Sequence, residues 1–597
     1  TTVNLSRWAM RTIGSFVHHT ANINVDDMFL GCKALGQMTL GEASILQGTA
    51  FNNSLANHGP TDNDTGGMWE LVQIYNPATD SNDNLPRTSH GTAQWFGSTG
   101  SLAERYKSTG PAYAAALVYV WRSDMIGERF ESNPFAWWTY DKNGNLVLGV
   151  DKGAEASIYA PKPGDTKTAA QYADTVTETQ RVTTTTKNAD GTISIDTPSA
   201  DDLPWLYSHF NESNSVKEAW GTYNPTTRDS ILTVTTKGGI LLRFPQNWFM
   251  NYLNLTTFDG SGMDVPQATS LQNFFRNDAK LTTFTTSANR WNTSNITNIS
   301  YFMYGTGIVS LDGLQTAGAN GWDVSHVTDM SFAFANMTKL TDISGLANWK
   351  TTSSAASPLN MTDMMSGCTA LVDASPLKDW NVTGANLTNL FYNNTALTTV
   401  DIHLWDMRDA TVTNMFYNNR KLGDKATNGY IRLGAKNKLT DTAINSIATR
   451  TAKLGSWVRT LDIPVAWFGT GNSLIRLYKD GIIGLANTYL TPNYIDYFWD
   501  STFISGRFES NENAWWIYFL VDTNYKGEEM KAGTLLLGAD ETAANRVVTE
   551  EADELPWLDD PSTTAKDELV GKTQVKYVKT KFDITPTTPK EWFNDYT

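Results

Sequence analysis

Leu387-Thr-Asn-Leu-Phe-Tyr-Asn-Asn-Thr-Ala-Leu397 and Val412-Thr-Asn-Met-Phe-Tyr-Asn-Asn-Arg-Lys-Leu422 are near-copies 25 residues apart, and Val25-Asp-Asp-Met-Phe-Leu-Gly-Cys-Lys-Ala-Leu35 is a looser third. Their common element is a large apolar residue followed six positions later by an aliphatic one. The pair recurs at Phe29/Leu35, Phe275/Leu281, Met303/Val309, Phe334/Leu340, Met365/Leu371, Phe391/Leu397 and Phe416/Leu422, with steps of 28, 31, 31, 26 and 25 residues from Phe275 onward. A tryptophan opens most units, at Trp8, Trp291, Trp322, Trp349, Trp380 and Trp405. A unit this short cannot bury its own apolar face, so it must stack on its neighbours.

Within a unit, Thr328-Asp-Met-Ser-Phe-Ala-Phe334 opens with an N-cap-like Thr and Asp and reads as one or two helical turns, while Leu340-Thr-Asp-Ile-Ser344 alternates as a short strand. The expected fold is therefore a leucine-rich-repeat-like solenoid, a short strand plus a short helix per 25–31 residues, alternating with β-rich joining modules. Cys32 and Cys368 fall three places after the apolar slot, where other units carry Asp278, Met337, Asn394 and Asn419. Equivalent slots of different stacks predict unpaired thiols.

A longer repeat frames the short one. Ala136-Trp-Trp138 matches Ala514-Trp-Trp516, and Arg129-Phe-Glu-Ser-Asn133 matches Arg507-Phe-Glu-Ser-Asn511, both at an offset of 378. Asp202-Leu-Pro-Trp205 matches Glu554-Leu-Pro-Trp557, and Pro245-Gln-Asn-Trp-Phe249 matches Pro589-Lys-Glu-Trp-Phe593. The chain reads as one and a half copies of a super-repeat: 1–92 the end of a first stack with its cap, 93–252 a joining module, 253–460 a second stack with cap, and 461–597 a truncated second module. A Thr-rich excursion from Thr175 to Asp196 is extra in the first module.

Composition narrows the function. No apolar run approaches the roughly 20 residues of a membrane helix, and two cysteines exclude a disulfide framework or a four-ligand zinc site. The net charge of −16 disfavours nucleic acid as a partner unless cations are gathered locally. Tryptophan is unusually abundant, at 21 residues. Eighteen of them fall on repeat or module positions, which favours a repeating core over a sugar-stacking platform.

Catalytic signatures are missing: there is no Gly-x-Ser-x-Gly, His-Glu-x-x-His, phosphate loop or Cys-x-x-Cys. His18-His19 has no third ligand nearby, and Asp62-Asn-Asp-Thr-Gly-Gly and Asp80-Ser-Asn-Asp lack the terminal carboxylate of a calcium loop. Asp141-Lys-Asn-Gly-Asn145 reads as a hairpin turn. No catalytic residue, metal ligand or cofactor is expected. The one departure from the acidic background is at 401–460, where ten Lys/Arg face five Asp/Glu. From it, Arg408, Arg420, Lys421, Lys425, Arg432, Lys436 and Lys438 are the candidate ligand-binding residues for sulfate or carboxylate groups, set against a solvated capping face.

Units such as Trp322-Asp-Val-Ser-His-Val-Thr-Asp-Met330, and Met365-Ser-Gly-Cys-Thr-Ala-Leu371, resemble the BspA-like leucine-rich-repeat surface proteins of lactic-acid and other bacteria. Trp137-Trp-Thr-Tyr-Asp141 with Asn145-Leu-Val-Leu-Gly149, followed by Leu203-Pro-Trp205, resembles the module that precedes such repeats. The short-repeat resemblance spans roughly 1–60 and 253–440; the spacing is irregular in the units headed by Trp8 and Trp349. It implies a piece of a large, wall-attached extracellular adhesin. The expected function is non-enzymatic binding of host glycans or glycoproteins, sulfated glycosaminoglycans being the sharper expectation, by a monomeric fragment without membrane insertion. The alternatives are a non-binding spacer or a carbohydrate-active enzyme. Were all 62 carboxylates unperturbed, half would be protonated near pH 4 and the net charge would reach about +22, so polyanion binding is expected to strengthen in acid.

Overall fold

Asparagine and glycine enter left-handed backbone at the least cost, and their placement shapes the repeat units. The computed structural model describes residues 228–440 apart from 238–239, 287–290 and 315–321. On either side it describes 2–5, 37–40, 68–76, 81–84, 96–97, 116–122, 125–130, 133–141, 143–150, 193–195, 456–459, 468–469, 474, 478, 494–508, 510–511, 513–525, 527–539, 545–549, 555, 574–581, 584–587, 589 and 592–593. The chain divides into two units, Thr1–Asn295 with Ala317–Gly321, and Ile296–Thr316 with Trp322–Thr597.

In the second unit each repeat has two positive-φ residues four apart: Tyr301/Gly305, Phe332/Asn336, Asp363/Gly367, Asn389/Asn393 and Asn414/Asn418. Asn247/Asn251 and Asn273/Asn277 are their counterparts in the first unit. Around these positions the amides alternate. Met361, Asp363, Met365 and Gly367 donate to the carbonyls of Asn386, Thr388, Leu390 and Tyr392 at 2.7–3.1 Å, while Met364 and Ser366 donate back to Met361 and Asp363 at 3.1 Å. The turn Met361–Met364 has its positive φ at the third position, as a type II turn requires. The same alternation runs from Leu387–Asn393 onto Thr411–Tyr417. Successive repeats are thus joined in parallel, each as a rung of a hydrogen-bonded ladder.

This corrects the expected helix. Asp329 Oδ1 does accept from the Ser331 amide at 2.9 Å, as an N-cap would, and Asn360 and Asn386 act alike. The left-handed residue that follows, however, turns the chain outward to the next rung instead of closing a helix. Among the described repeat residues there are turns, three-residue 3-10 segments and short strands, and no α-helix. The rung Asn247–Asn251 donates in the same way to Gln272, Phe274 and Arg276, so the ladder begins inside Pro245-Gln-Asn-Trp-Phe249, a stretch that by sequence reads with the joining module. The matched Trp592 amide makes the same 3.3 Å turn to Pro589 that Trp248 makes to Pro245.

The interior of the rungs is apolar. Phe275, Met303, Phe334, Met365, Phe391 and Phe416 are all buried, as are Trp291, Trp322, Trp349, Trp380 and Trp405. Trp349 stacks between Trp322 and Trp380, with centroids 5.9 Å apart on both sides. Trp349, Trp380 and Trp405 Nε1 donate to the carbonyls of Leu314, Leu346 and Leu377, which satisfies the polar atom of each buried indole. Tryptophan is core in the described rungs, so it supplies no sugar-stacking platform there.

The joining module occurs twice with one architecture. In the first copy Met125–Phe130, Asn133–Asp141 and Asn145–Val150 are antiparallel, and Thr233–Thr236 adds in parallel. In the second, Phe503–Arg507, Ala514–Phe519 and Thr534–Ala539 are antiparallel, and Tyr577–Lys581 adds in parallel. Arg129 faces Trp137 as Arg507 faces Trp515. Trp137 lies over Gly149, and Trp515 over Gly538, so closely that a Cβ would fall 2.3 and 2.5 Å from the ring. The Asp141–Asn145 segment is the expected hairpin turn, with Gly144 at φ 86°. The Asp141 carboxylate accepts from the Asn143 and Asn145 amides and the Asn145 side chain, so its lone pairs are used within the turn. In the second copy this turn is replaced by the ribbon Thr523–Tyr525 with Glu528–Met530.

A polar slot runs through the rungs three places after the apolar residue. The Tyr252 amide donates to Asp278 Oδ1 at 2.7 Å, Cys368 to Asn394 Oδ1 at 2.9 Å, and Asn394 to Asn419 Oδ1 at 2.9 Å. Cys368 is a free, buried thiol, as expected, and burial pushes it up to about 12. Its peptide is expected to stay unalkylated by iodoacetamide at pH 8 in the folded protein and to react after denaturation, as read by peptide mass spectrometry. Cys32, His18-His19, Asp62 to Gly67 and Thr175 to Gly191 lie outside the described residues.

Candidate functional site

The seven candidate cations lie where the ladder of the second unit ends. Val400–Asp401 pairs in parallel with Ile431–Gly434, which in turn pairs antiparallel with Tyr494–Asp500. The strand Tyr494–Asp500 therefore covers the last parallel edge, and it carries the carboxylates that decide which cations remain free.

Arg432 faces Asp496 across this antiparallel pair. Its Nε and Nη2 donate to the two Asp496 oxygens at 2.6 and 2.9 Å, Nη1 reaches Asp401 at 3.4 Å, and the guanidinium lies 4.0 Å from the Tyr494 ring centroid. The Asp496 hydrogen bonds, outweighing its partial burial, hold Arg432 in its charged form. Lys425 Nζ donates to Asp500 Oδ2 at 2.7 Å. Burial pushes the Asp500 carboxyl up, but Lys425 and Thr502 more than offset that and leave it below the usual carboxylate range. Both cations fasten the covering strand.

Arg408, Lys436 and Lys438 form a second group. Arg408 makes a two-pronged pair with Asp406 at 2.8 and 2.5 Å, Lys436 Nζ lies 3.3 Å from the same carboxylate, and Lys438 Nζ donates to the Arg408 and Ala410 carbonyls at 3.3 and 3.4 Å. The Arg408 guanidinium, with help from Lys436 and against partial burial, holds the Asp406 carboxyl at about 2. Two cations, Arg408 and Lys436, thus share one carboxylate that stays ionised at pH 4, while Lys438 rests on backbone carbonyls.

Arg420 and Lys421 are exposed and meet no carboxylate among the described residues. Arg420 Nε donates to Asn418 Oδ1 at 2.7 Å, and Asn418 Nδ2 donates to Asn393 Oδ1 of the neighbouring rung at 2.8 Å. Beside them the Tyr392 and Tyr417 rings stack at 4.8 Å and 8°. Sequence reasoning found the charges and missed this aromatic and amide surface. Its signal was present in the repeated Phe-Tyr-Asn-Asn of 391–394 and 416–419, whose Tyr and first Asn lie on the outer side of the rung.

Among the described residues no helix is long and apolar enough to cross a membrane. No curated protein matches the chain. A solved leucine-rich repeat protein from Eubacterium ventriosum is similar at 11% identity over 50% of this chain and 84% of that one, with a TM-score of 0.13. Residues 246–312 and 310–429 match the model of a family described as "Mycoplasma protein of unknown function, DUF285".

Proposed function

We propose that this chain is part of a leucine-rich-repeat-type solenoid adhesin on a bacterial surface, and that the end of its second repeat stack binds polyanionic host glycans, sulfated glycosaminoglycans foremost. The observation that carries the reading is a local excess of cations on a chain of net charge −16: Arg420 and Lys421 are exposed and meet no carboxylate among the described residues, Arg408 and Lys436 share Asp406, and Lys438 bonds the Arg408 and Ala410 carbonyls. Tandem stacks separated by joining modules would present such a site repeatedly, raising avidity without a strong single contact. Arg432 and Lys425 are excluded from the contact set because they hold the strand Tyr494–Asp500. That use of two cations, together with the pairing of Arg408 and Lys436, favours the second reading, a spacer that binds nothing.

A glycan array containing sulfated polysaccharides, run at pH 7 and pH 4, separates the two. The adhesin reading expects binding that weakens with salt, strengthens in acid and disappears on charge reversal of Arg420, Lys421, Lys436 and Lys438 to Glu. Asp406 and Asp500 lie below the usual carboxylate range, so any strengthening at pH 4 draws on other carboxylates. Silence at both pH values supports the spacer.

A further inference from the structure

Resting on the polyanion reading, we infer that the stacked pair Tyr392–Tyr417, with Asn393, Asn418, Arg420 and Lys421, forms a binding site for the sulfate or carboxylate group of an anionic sugar. The amide oxygens of this surface each already accept one hydrogen bond: Asn393 Oδ1 from Asn418 Nδ2 at 2.8 Å, and Asn418 Oδ1 from Arg420 Nε at 2.7 Å. Among the described residues, the groups left without a partner are the Asn393 Nδ2 protons, the Tyr392 and Tyr417 hydroxyls, the Arg420 η nitrogens and the Lys421 ammonium.

These are donors, two of them charged, on a surface that two adjacent rungs hold rigid. The Asn393 amide donates to the Tyr417 carbonyl at 2.8 Å, and the two rings stack at 8°. The two stacked rings cover each other's facing surfaces. Tyr417 is 37% exposed and Arg420 and Lys421 are exposed, which leaves the surface accessible. An array rich in donors that combines a guanidinium fork with an ammonium fits an oxyanion.

The test keeps the fold intact by changing single atoms. Asn393→Asp retains the Oδ1 that accepts from Asn418 and converts the free donor into an anionic acceptor; Tyr417→Phe retains the stack and removes one hydroxyl. Affinities of the intact chain and both variants are measured by biolayer interferometry for chondroitin sulfate, for hyaluronan as the carboxylate-only counterpart, and for neutral dextran. The expected result is at least a tenfold loss for Asn393→Asp and a three- to tenfold loss for Tyr417→Phe, with no binding to dextran. Retention on chondroitin sulfate alone assigns the site to sulfate esters; comparable retention on hyaluronan assigns it to carboxylates.

Binding within twofold of the parent in both variants, while Arg420→Glu/Lys421→Glu abolishes it, would overturn this site and leave the polyanion reading standing. No binding of the parent chain to either anionic polymer would overturn both.

Discussion

Replacing Asp278 by asparagine is expected to stabilise the first unit at pH 7. Asp278 is buried in the polar slot, accepts from the Tyr252 amide through Oδ1, and leaves Oδ2 unbonded. Burial raises its carboxyl well above the usual range, only partly opposed by the Tyr252 hydrogen bond, and no neighbouring charge contributes. Asparagine fills the same slot at 394 and 419 and makes the same bond without an ionisable group. The sign follows from linkage. A carboxyl whose folded pKa exceeds its unfolded value binds more protons in the folded state over the interval between them, so stability falls as pH rises through that interval.

The parent's ladder around 247–285 should therefore be more protected at pH 4 than at pH 7 as far as this group decides. Asp278→Asn should lose that slope and gain on the order of 1 kcal/mol at pH 7, since relief from the buried ionisable group is partly offset by an Nδ2 that is buried without a partner in Asn394 and Asn419. Hydrogen exchange of peptides covering 246–286 at both pH values reads it. Unchanged protection at pH 7 would mean that the buried carboxyl carries no penalty.

Trp349→Ala is expected to be the most damaging single change in the second unit. The ring is buried between Trp322 and Trp380, touches the Phe334 ring at 6.2 Å, and bonds through Nε1 to the Leu314 carbonyl at 2.8 Å. Truncating a buried tryptophan costs about 3–5 kcal/mol. In a stack held by nearest neighbours the loss should reach the rungs on both sides. Exchange should therefore rise across 322–347 and 361–390, while the module strands Ala514–Phe519 and Thr534–Ala539 keep their protection. Loosening confined to the Trp349 peptide would argue against rung-to-rung coupling.

The stacking of units was legible from the spacing of Phe391/Leu397 and Phe416/Leu422, because filling the same gap in each rung demands the same residue. The match between the two copies of the long repeat was legible for a similar reason: Ala136-Trp-Trp138 and Ala514-Trp-Trp516 occupy matching registers in the two sheets. The path of the backbone was less so. Asp329 and its equivalents cap the amide two residues on, a feature shared by helix N-termini and Asx turns. What separates the two is the pair of left-handed residues four apart, asparagines at Asn389/Asn393 but Tyr301, Phe332 and Asp363 at the first position of other rungs, which directs the amides to the neighbouring rung.

The candidate site was legible only as charge. The carboxylates that engage Arg432 and Lys425 come from Asp496 and Asp500, 64 and 75 residues away in sequence and outside the basic window. A local count cannot find such partners. Nor does it reveal the outward asparagine and tyrosine columns, which exist only once adjacent rungs bring Asn393 to Asn418 and Tyr392 to Tyr417.

The most direct test of the central claim is the affinity of the intact chain for a sulfated polysaccharide and its desulfated counterpart, titrated calorimetrically at pH 7 over increasing salt. The account predicts binding that depends on the sulfates, weakens steadily with salt and is lost in Arg420→Glu/Lys421→Glu. Equal affinity for both polymers, or none for either at low salt, would contradict it.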